Sequence, residues 1–365
     1  MEPTGKRPRI VYIGRTRLHR NRANLIQTLH TVSAMDSLGA AVTLFLPPWK
    51  KGITIQQRLD ELSITTPISV KPAQSLHSRW KIWPFIRLHR SILKEADAIY
   101  TRSPEVSVAL SRAELAHYLE LHEIRRLQEK NLLQQIIDNY NKGFIKWILP
   151  ISTSAAEELK KRGARKERIL VNPCGVNIKA FQSVSPLDVS RLAFPRILHA
   201  GRIGSNRGLE ILKSIARENL GKVLLVGEKD KDFIPNRFVK LLSPVPHRDI
   251  PRLYDTSEIV LLPYQKNLAT SNVMSPLKLF EAMAAGRPVI ASNLPSLREV
   301  LKHEVNALLV EPDNIQEWIT AVKRLKADTH LAMKLAHALR QEAPKFSWEV
   351  RARKIISLII SELSS

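Results

Sequence analysis

Short apolar runs recur along the chain and alternate with longer stretches in which apolar residues return every three or four positions. The runs read as strands buried on both faces and the periodic stretches as helices laid over them, so the pattern predicts an α/β protein. Residues 9–14 form the first run. A loop follows, then an amphipathic helix over 23–38 closed by Gly39 and a second strand over 41–46, which together make a βαβ unit. Further strands are expected at 98–100, at 116–121 and in FIKWILPIST. Helices are expected up to Ala96, from TRSPEVSVAL, as one polar helix over 125–142, and over SAAEELKKRG. Residues 181–194 turn to Ser, Pro and Asp, the character of a linker, and the domain boundary is set near Ser185. The alternation then restarts. Strands are expected at 197–201, 223–227, up to Leu262 and at 289–291, and helices from about Leu209, over 315–325, over 330–343 and through FSWEVRARKIISLIISEL. The chain has 365 residues, enough for two separate cores. Residues 1–184 and 185–345 are therefore read as two domains, with 346–365 as a closing helix.

Charge narrows the partners. The formal net charge is +23, and the larger part of the surplus falls in the first half of the chain. Such a balance suits phosphorylated substrates, anionic lipid or nucleic acid. A nucleic-acid-binding protein is the rival reading from another class, but no RRM, KH or zinc signature supports it. The single cysteine, Cys174, excludes an internal disulfide, and no HExxH or DxD spacing suggests a metal site, so neither metal nor cofactor is expected. The polar, basic start and the lack of a long apolar stretch point to a cytoplasmic protein. Within RWKIWPFIRLHR, Trp80, Trp83, Phe85 and Ile86 alternate with Arg79, Lys81, Arg87 and Arg90, and Phe144, Lys146 and Trp147 repeat the combination. These residues are either core aromatics with a solvated edge or a docking surface for the anionic inner face of a membrane, and Pro84, which interrupts a buried strand or helix, favours the surface.

Two stretches carry candidate chemistry. The loop after the first strand lies at the carboxyl edge of its sheet, where α/β folds place ligands, so Arg15, Arg17 and Asn21 are candidate acceptor contacts, although a solvated basic loop is the other reading. The second stretch is SNVMSPLKLFEAMAAGRPVIAS over 271–292, which reads as loop, helix, turn and strand. Ser275 is expected as N-cap, Pro276 at the first helical position, and Gly286 at the left-handed position after the last turn. The helix start and Lys278 favour an anion, and Glu281, one turn further in, can accept from two ribose hydroxyls. Together they suit a nucleoside diphosphate.

The string SPLKLFEAMAAGRPVIAS, followed by Pro295, Glu299 and NALLVEPDN, resembles the signature of the retaining glycosyltransferases of family 4. The resemblance implies the GT-B fold, two Rossmann-like doubly wound domains facing a central cleft, with a C-terminal helix crossing back to the first domain. It implies donor contacts at Gly14, Gly201, Arg202, Arg207, Val245, Ser275, Pro276, Leu277, Lys278 and Glu281. His122, at the end of an ELH-like strand, would face the donor sugar, and His122, Arg202 and Arg207 would be the catalytic groups. Arg207 stands where the family carries a lysine, which keeps the charge and adds a bidentate fork. Val273 replaces the first Glu of the family's Glu-x7-Glu pair, and the chain departs from the pattern there. The implied activity is transfer of a sugar, with retention, from a nucleotide-diphosphate donor to a lipid-linked or envelope-glycan acceptor. In such a reaction the leaving phosphate assists deprotonation of the acceptor. Within the same fold a phosphorylase or a nucleotide-sugar epimerase remains the alternative.

Overall fold

The computed structural model describes residues 7–20, 22–78, 82–230 and 239–364. Two compact units are present, one comprising residues 1–174 with 348–365 and the other residues 175–347. In the first, β1 (Arg9–Ile13), β2 (Ala41–Leu46), β3 (Ser69–Pro72), β4 (Ala98–Thr101), β5 (His117–Leu121) and β6 (Ile145–Pro150) form one parallel sheet in the order β3-β2-β1-β4-β5-β6. In the second, β7 (Arg196–Ala200), β8 (Lys222–Val226), β9 (Val239–Leu242), β10 (Ile259–Leu262), β11 (Val289–Ser292) and β12 (Leu308–Val310) form another, in the order β12-β11-β10-β7-β8-β9. Both are doubly wound sheets whose order reverses beside their first strand, between β1 and β4 and between β7 and β10. Their central strands are buried on both faces, which is why they stood out as unbroken apolar runs.

The helix Trp348–Leu363 belongs to the first unit, as the resemblance implied. Trp348 stacks on His30 of the helix Ala23–Ser37 at 5.2 Å between ring centroids. Arg351 reaches Thr31 Oγ1 and the carbonyls of Asn172 and Pro173. In the second unit Arg287 does comparable work, donating from a fully buried position to the carbonyls of Tyr254, Ser257 and Ser185, so that linker residue Ser185 is tied to the sheet's helical layer.

Three local expectations need correction. The polar helix over 125–142 is two helices, Ile124–Glu129 and Leu133–Asn141, because Asn131 adopts φ 55° and Leu132 N–H closes onto the Leu127 carbonyl. Ser275 is not the N-cap. Pro276 is, with extended dihedrals, and the helix runs Leu277–Ala285 before Gly286 ends it at φ 59°. Pro84 interrupts nothing, since it sits in the first turn of the helix Ile82–Leu88, where its missing N–H is not needed. Phe85 and Ile86 of that helix are core, and Trp147 is half-buried and donates to Glu362 Oε1 at 3.1 Å. Trp83, Arg87, Leu88 and Arg90 are exposed, as is Ile92 on the next helix, Arg90–Glu95. Arg79, Trp80 and Lys81 lie outside the described residues. No helix among the described residues is long and apolar enough to cross a membrane.

Candidate active site

The reversal between β7 and β10 sends two segments, residues 201–208 and 263–276, off the carboxyl ends of neighbouring strands, and the helix Leu277–Ala285 follows directly. Gly201, at φ 127°, lets Lys278 approach the backbone. A Cβ there would stand 2.7 Å from Lys278 Nζ. That Nζ is buried without a hydrogen-bond partner and lies 5.4 Å above the Tyr264 ring. Burial, and then the charge of Arg207, pulls the Lys278 ammonium down to about 7, while Glu281 opposes the shift. The helix start offers no side-chain cap of its own. A buried, unpaired cation beside an uncapped helix start calls for an anion.

Glu281 has both carboxylate oxygens engaged. His247 Nε2 lies 3.0 Å from Oε1, and the Tyr254 hydroxyl lies 3.2 Å from Oε2 and 3.1 Å from the Lys278 carbonyl. Burial and the Glu281 charge push the Tyr254 phenol well above its ordinary value, so it remains a donor. Val245 is two residues before His247 in the same loop, which brings it to the Glu281 side. Arg207 donates to Asn206 Oδ1 at 2.8 Å and is partly buried. Arg202 pairs with Asp230 and leaves 59% of its side chain in solvent. His199 lies between the carbonyls of Leu261 and Arg202, 3.3 Å from each, and burial followed by the Lys278 charge pushes it down to about 3, so the ring is neutral. Gly201, Arg207, Lys278 and Glu281 are thus gathered within one unit, flanked by Ser275, Pro276 and Leu277.

The first unit has its own constellation. His122 follows β5, and its Nε2 contacts Glu120 Oε1. Glu120 is 1% exposed and also receives Gln27 Nε2 at 2.8 Å, the Tyr100 hydroxyl at 2.6 Å and Arg351 Nη2. Burial alone would raise the Glu120 carboxyl. Arg351 and the His122 contact overcome that and hold it well below the usual range. His122 is pushed down to about 4 by burial and by Arg102, against the pull of Glu120. A carboxylate can only accept, so a neutral His122 donates from Nε2 and keeps Nδ1 as an acceptor, the arrangement suited to a hydroxyl. Gly14 ends β1 with its N–H on the Phe45 carbonyl, 2.9 Å away. Arg15 is committed within the unit, 3.4 Å from Glu105 and 3.3 Å from the Leu76 carbonyl, whereas Arg17 is half-buried in the loop. Asn21 lies outside the described residues.

His247, Tyr254, Tyr264, Glu120 and Arg351 were not singled out in the sequence. Glu120 alone had a signal, as the residue two before His122 in the ELH string. Among the described residues no cluster of three or more His, Cys, Asp or Glu could hold a metal.

Comparison with known proteins agrees with this geometry. Residues 194–328 match the family described as Glycosyl transferases group 1, and that part of the chain is a domain of this family. A D-inositol 3-phosphate glycosyltransferase of Corynebacterium urealyticum is 28% identical over 123 residues, 34% of this chain and 28% of that one. The first three curated relatives are covered over 28% to 54% of their length. Among solved structures, HepE of Anabaena in complex with UDP superposes with a TM-score of 0.76 at 19% identity, over 97% of this chain and all of that one. The apo lipopolysaccharide outer core galactosyltransferase WaaB gives 0.68 at 16% identity, over 97% and 99%. The fold is GT-B.

The buried Lys278 carries a pH dependence. A nucleoside diphosphate arriving beside Nζ favours the ammonium, so binding is expected to take up a proton, and affinity should fall by up to about tenfold per pH unit as pH rises above about 7. The groups that set this balance are Arg207, Glu281, Tyr264 and His199. Calorimetry at pH 8 in two buffers of different ionisation enthalpy reads the uptake directly. Wild type should take up close to one proton and Lys278→Met none, and equal heats in the two buffers would sink the assignment.

Proposed function

We propose that this protein is a retaining glycosyltransferase that moves a sugar from a nucleotide-diphosphate donor to a glycan or lipid-linked acceptor. The observation that carries the reading is the unpaired Lys278 ammonium beside Gly201 and Arg207, one turn from the doubly held carboxylate of Glu281. As the anomeric bond breaks, negative charge grows on the diphosphate, and cations already in place stabilise it without reorganisation. Glu281, fixed by His247 and Tyr254, would hold the ribose, and Val245 would offer backbone to the base. His122, with Nδ1 free to accept, would take a hydroxyl of the donor sugar. The UDP complex of HepE supports a uridine donor, and the printed names of the relatives, an inositol phosphate transferase and a lipopolysaccharide transferase, support a polyol or glycan acceptor.

The acceptor side is proposed to work at the anionic inner face of a membrane, held by Trp83, Leu88 and Ile92 with Arg87 and Arg90. Each basic group near such a leaflet contributes roughly 1 kcal/mol. Incubation with a panel of labelled nucleotide sugars, with NMR of the anomeric configuration in the product, tests the activity. Phosphorolysis or epimerisation of the donor without transfer, or a product of inverted configuration, would overturn it. Co-sedimentation with phosphatidylglycerol vesicles, compared with phosphatidylcholine and with the Trp83→Ser/Arg87→Gln/Arg90→Gln variant, tests the membrane. Equal behaviour of the two lipids would make the acceptor soluble.

A further inference from the structure

The loops after β1 and β2 leave adjacent parallel strands on the same edge of the sheet and touch there, since Leu46 fills the space a Cβ on Gly14 would need, 2.8 Å away. The first loop brings Arg17, His19 and Arg20, the second brings Lys50, and the helix Ile55–Glu61 after it brings Arg58. These four cations converge on His19. Its imidazole is pushed below its ordinary value by burial and then by Lys50, Arg20, Arg17 and Arg58 in turn. Arg58 is paired with Glu61, but no ion pair to Arg17, Arg20 or Lys50 occurs among the described residues. Nδ1 of His19 is buried without a partner, and so is Oδ1 of Asn24 in the first turn of the helix Ala23–Ser37. That helix starts at Arg22 with no side-chain cap and no acidic residue in its first turn.

Like charges drawn together from three segments repel unless an anion joins them, and an uncapped helix start adds to the demand. A single carboxylate has one charge and two oxygens, too few for three unpaired cations, an imidazole and the helix amides. A phosphoryl group, with up to two charges and three terminal oxygens, matches them. The orphaned Asn24 Oδ1 adds an acceptor for a neighbouring hydroxyl.

We infer that the loops around His19 bind a phosphoryl group carried by the acceptor, with Arg17, Arg20, Lys50 and His19 as its donors and Asn24 receiving an adjacent hydroxyl. The substrate class this defines is a phosphorylated sugar or polyol. The inference rests on the glycosyltransferase reading and deepens it. When the phosphoryl group docks, His19 gains a proton, because the anion reverses the field of the four cations.

The probe is glucose 6-phosphate, added to protein saturated with a nucleoside diphosphate so that the donor site is filled, with glucose, inorganic phosphate and phosphatidylglycerol vesicles as the other arms. Glucose 6-phosphate should bind, compete with inorganic phosphate, weaken steeply with salt, and raise the titration midpoint of the His19 ring followed by NMR. Each cation removed should weaken it roughly tenfold, so Arg20→Gln/Lys50→Gln should lose about a hundredfold, while nucleoside diphosphate affinity stays the same. The inference is overturned by equal binding of glucose and glucose 6-phosphate, by a double variant that binds as wild type does, or by vesicles alone responding to it. Failure of the nucleoside diphosphate itself to bind would instead strike the glycosyltransferase reading, a separate result.

Discussion

Arg207→Ala is expected to lower turnover about a hundredfold, equivalent to about 3 kcal/mol of transition-state stabilisation, by comparison with the removal of one oxyanion-site donor. The partly buried guanidinium stands in the loop opposite Lys278, where departing negative charge would accumulate. Burial lowers its pKa without bringing it near neutrality, so it stays charged there. Arg202→Ala should cost less. Its guanidinium is already paired with Asp230 and is more than half exposed, so solvent screens what it can offer. Arg207→Lys should recover much of the loss, as a lysine occupies that place in the family the sequence resembles. The measurement is kcat/KM for the donor identified by the nucleotide-sugar panel, on variants checked for unchanged melting. An Arg207→Ala enzyme with near wild-type turnover would remove the cationic loop from the mechanism.

The second large effect concerns stability. Arg351→Met leaves the Glu120 carboxylate buried with its charge uncompensated, a change that typically costs about 3–5 kcal/mol. For a unit of this size that is a fall in melting temperature on the order of 10 °C. Glu120→Gln/Arg351→Met should recover most of it, since the buried charge is then gone. The sign with pH follows from the depressed carboxyl. Its contribution is complete above the unfolded value of about 4.3 and is lost as pH falls toward the folded one, so wild type should weaken in acid while the double variant changes less. Thermal unfolding at pH 7 and below pH 4 reads both effects. If Arg351→Met melts with wild type, the network is not what holds the last helix to the first unit.

The sequence exposed what local chemistry writes into it. The central strands are unbroken apolar runs, and Lys278, Glu281, Gly286 and Arg207 lie in strings where each position has a local meaning. The edge strands were not legible. β3 is Ser-Val-Lys-Pro and mostly exposed, so nothing apolar marks it, and β9 and β12 are short runs beside loops. The break at Asn131 was hidden because asparagine reports a left-handed turn only weakly against a continuing helical period. The partners of the site residues were hidden for another reason. His247 and Tyr254 reach Glu281 from 34 and 27 residues away, and Arg351 reaches Glu120 from 231 away. Such pairings are made by topology, and no single window of sequence contains both members.

The discontinuity of the first unit imposes an order on biosynthesis. Its sheet is complete once β6 has been made, yet the arginine that neutralises Glu120 is not polymerised until the whole of residues 175–347 has followed. The second unit is continuous in sequence and has no such debt, so it can close on itself as it emerges, inverting the usual rule that the amino-terminal domain matures first. For that interval the first unit holds a bare carboxylate in an apolar interior. The nascent chain therefore passes through a stage in which its earlier half is the less stable one, and the last sixteen-residue helix acts as the latch that ends it.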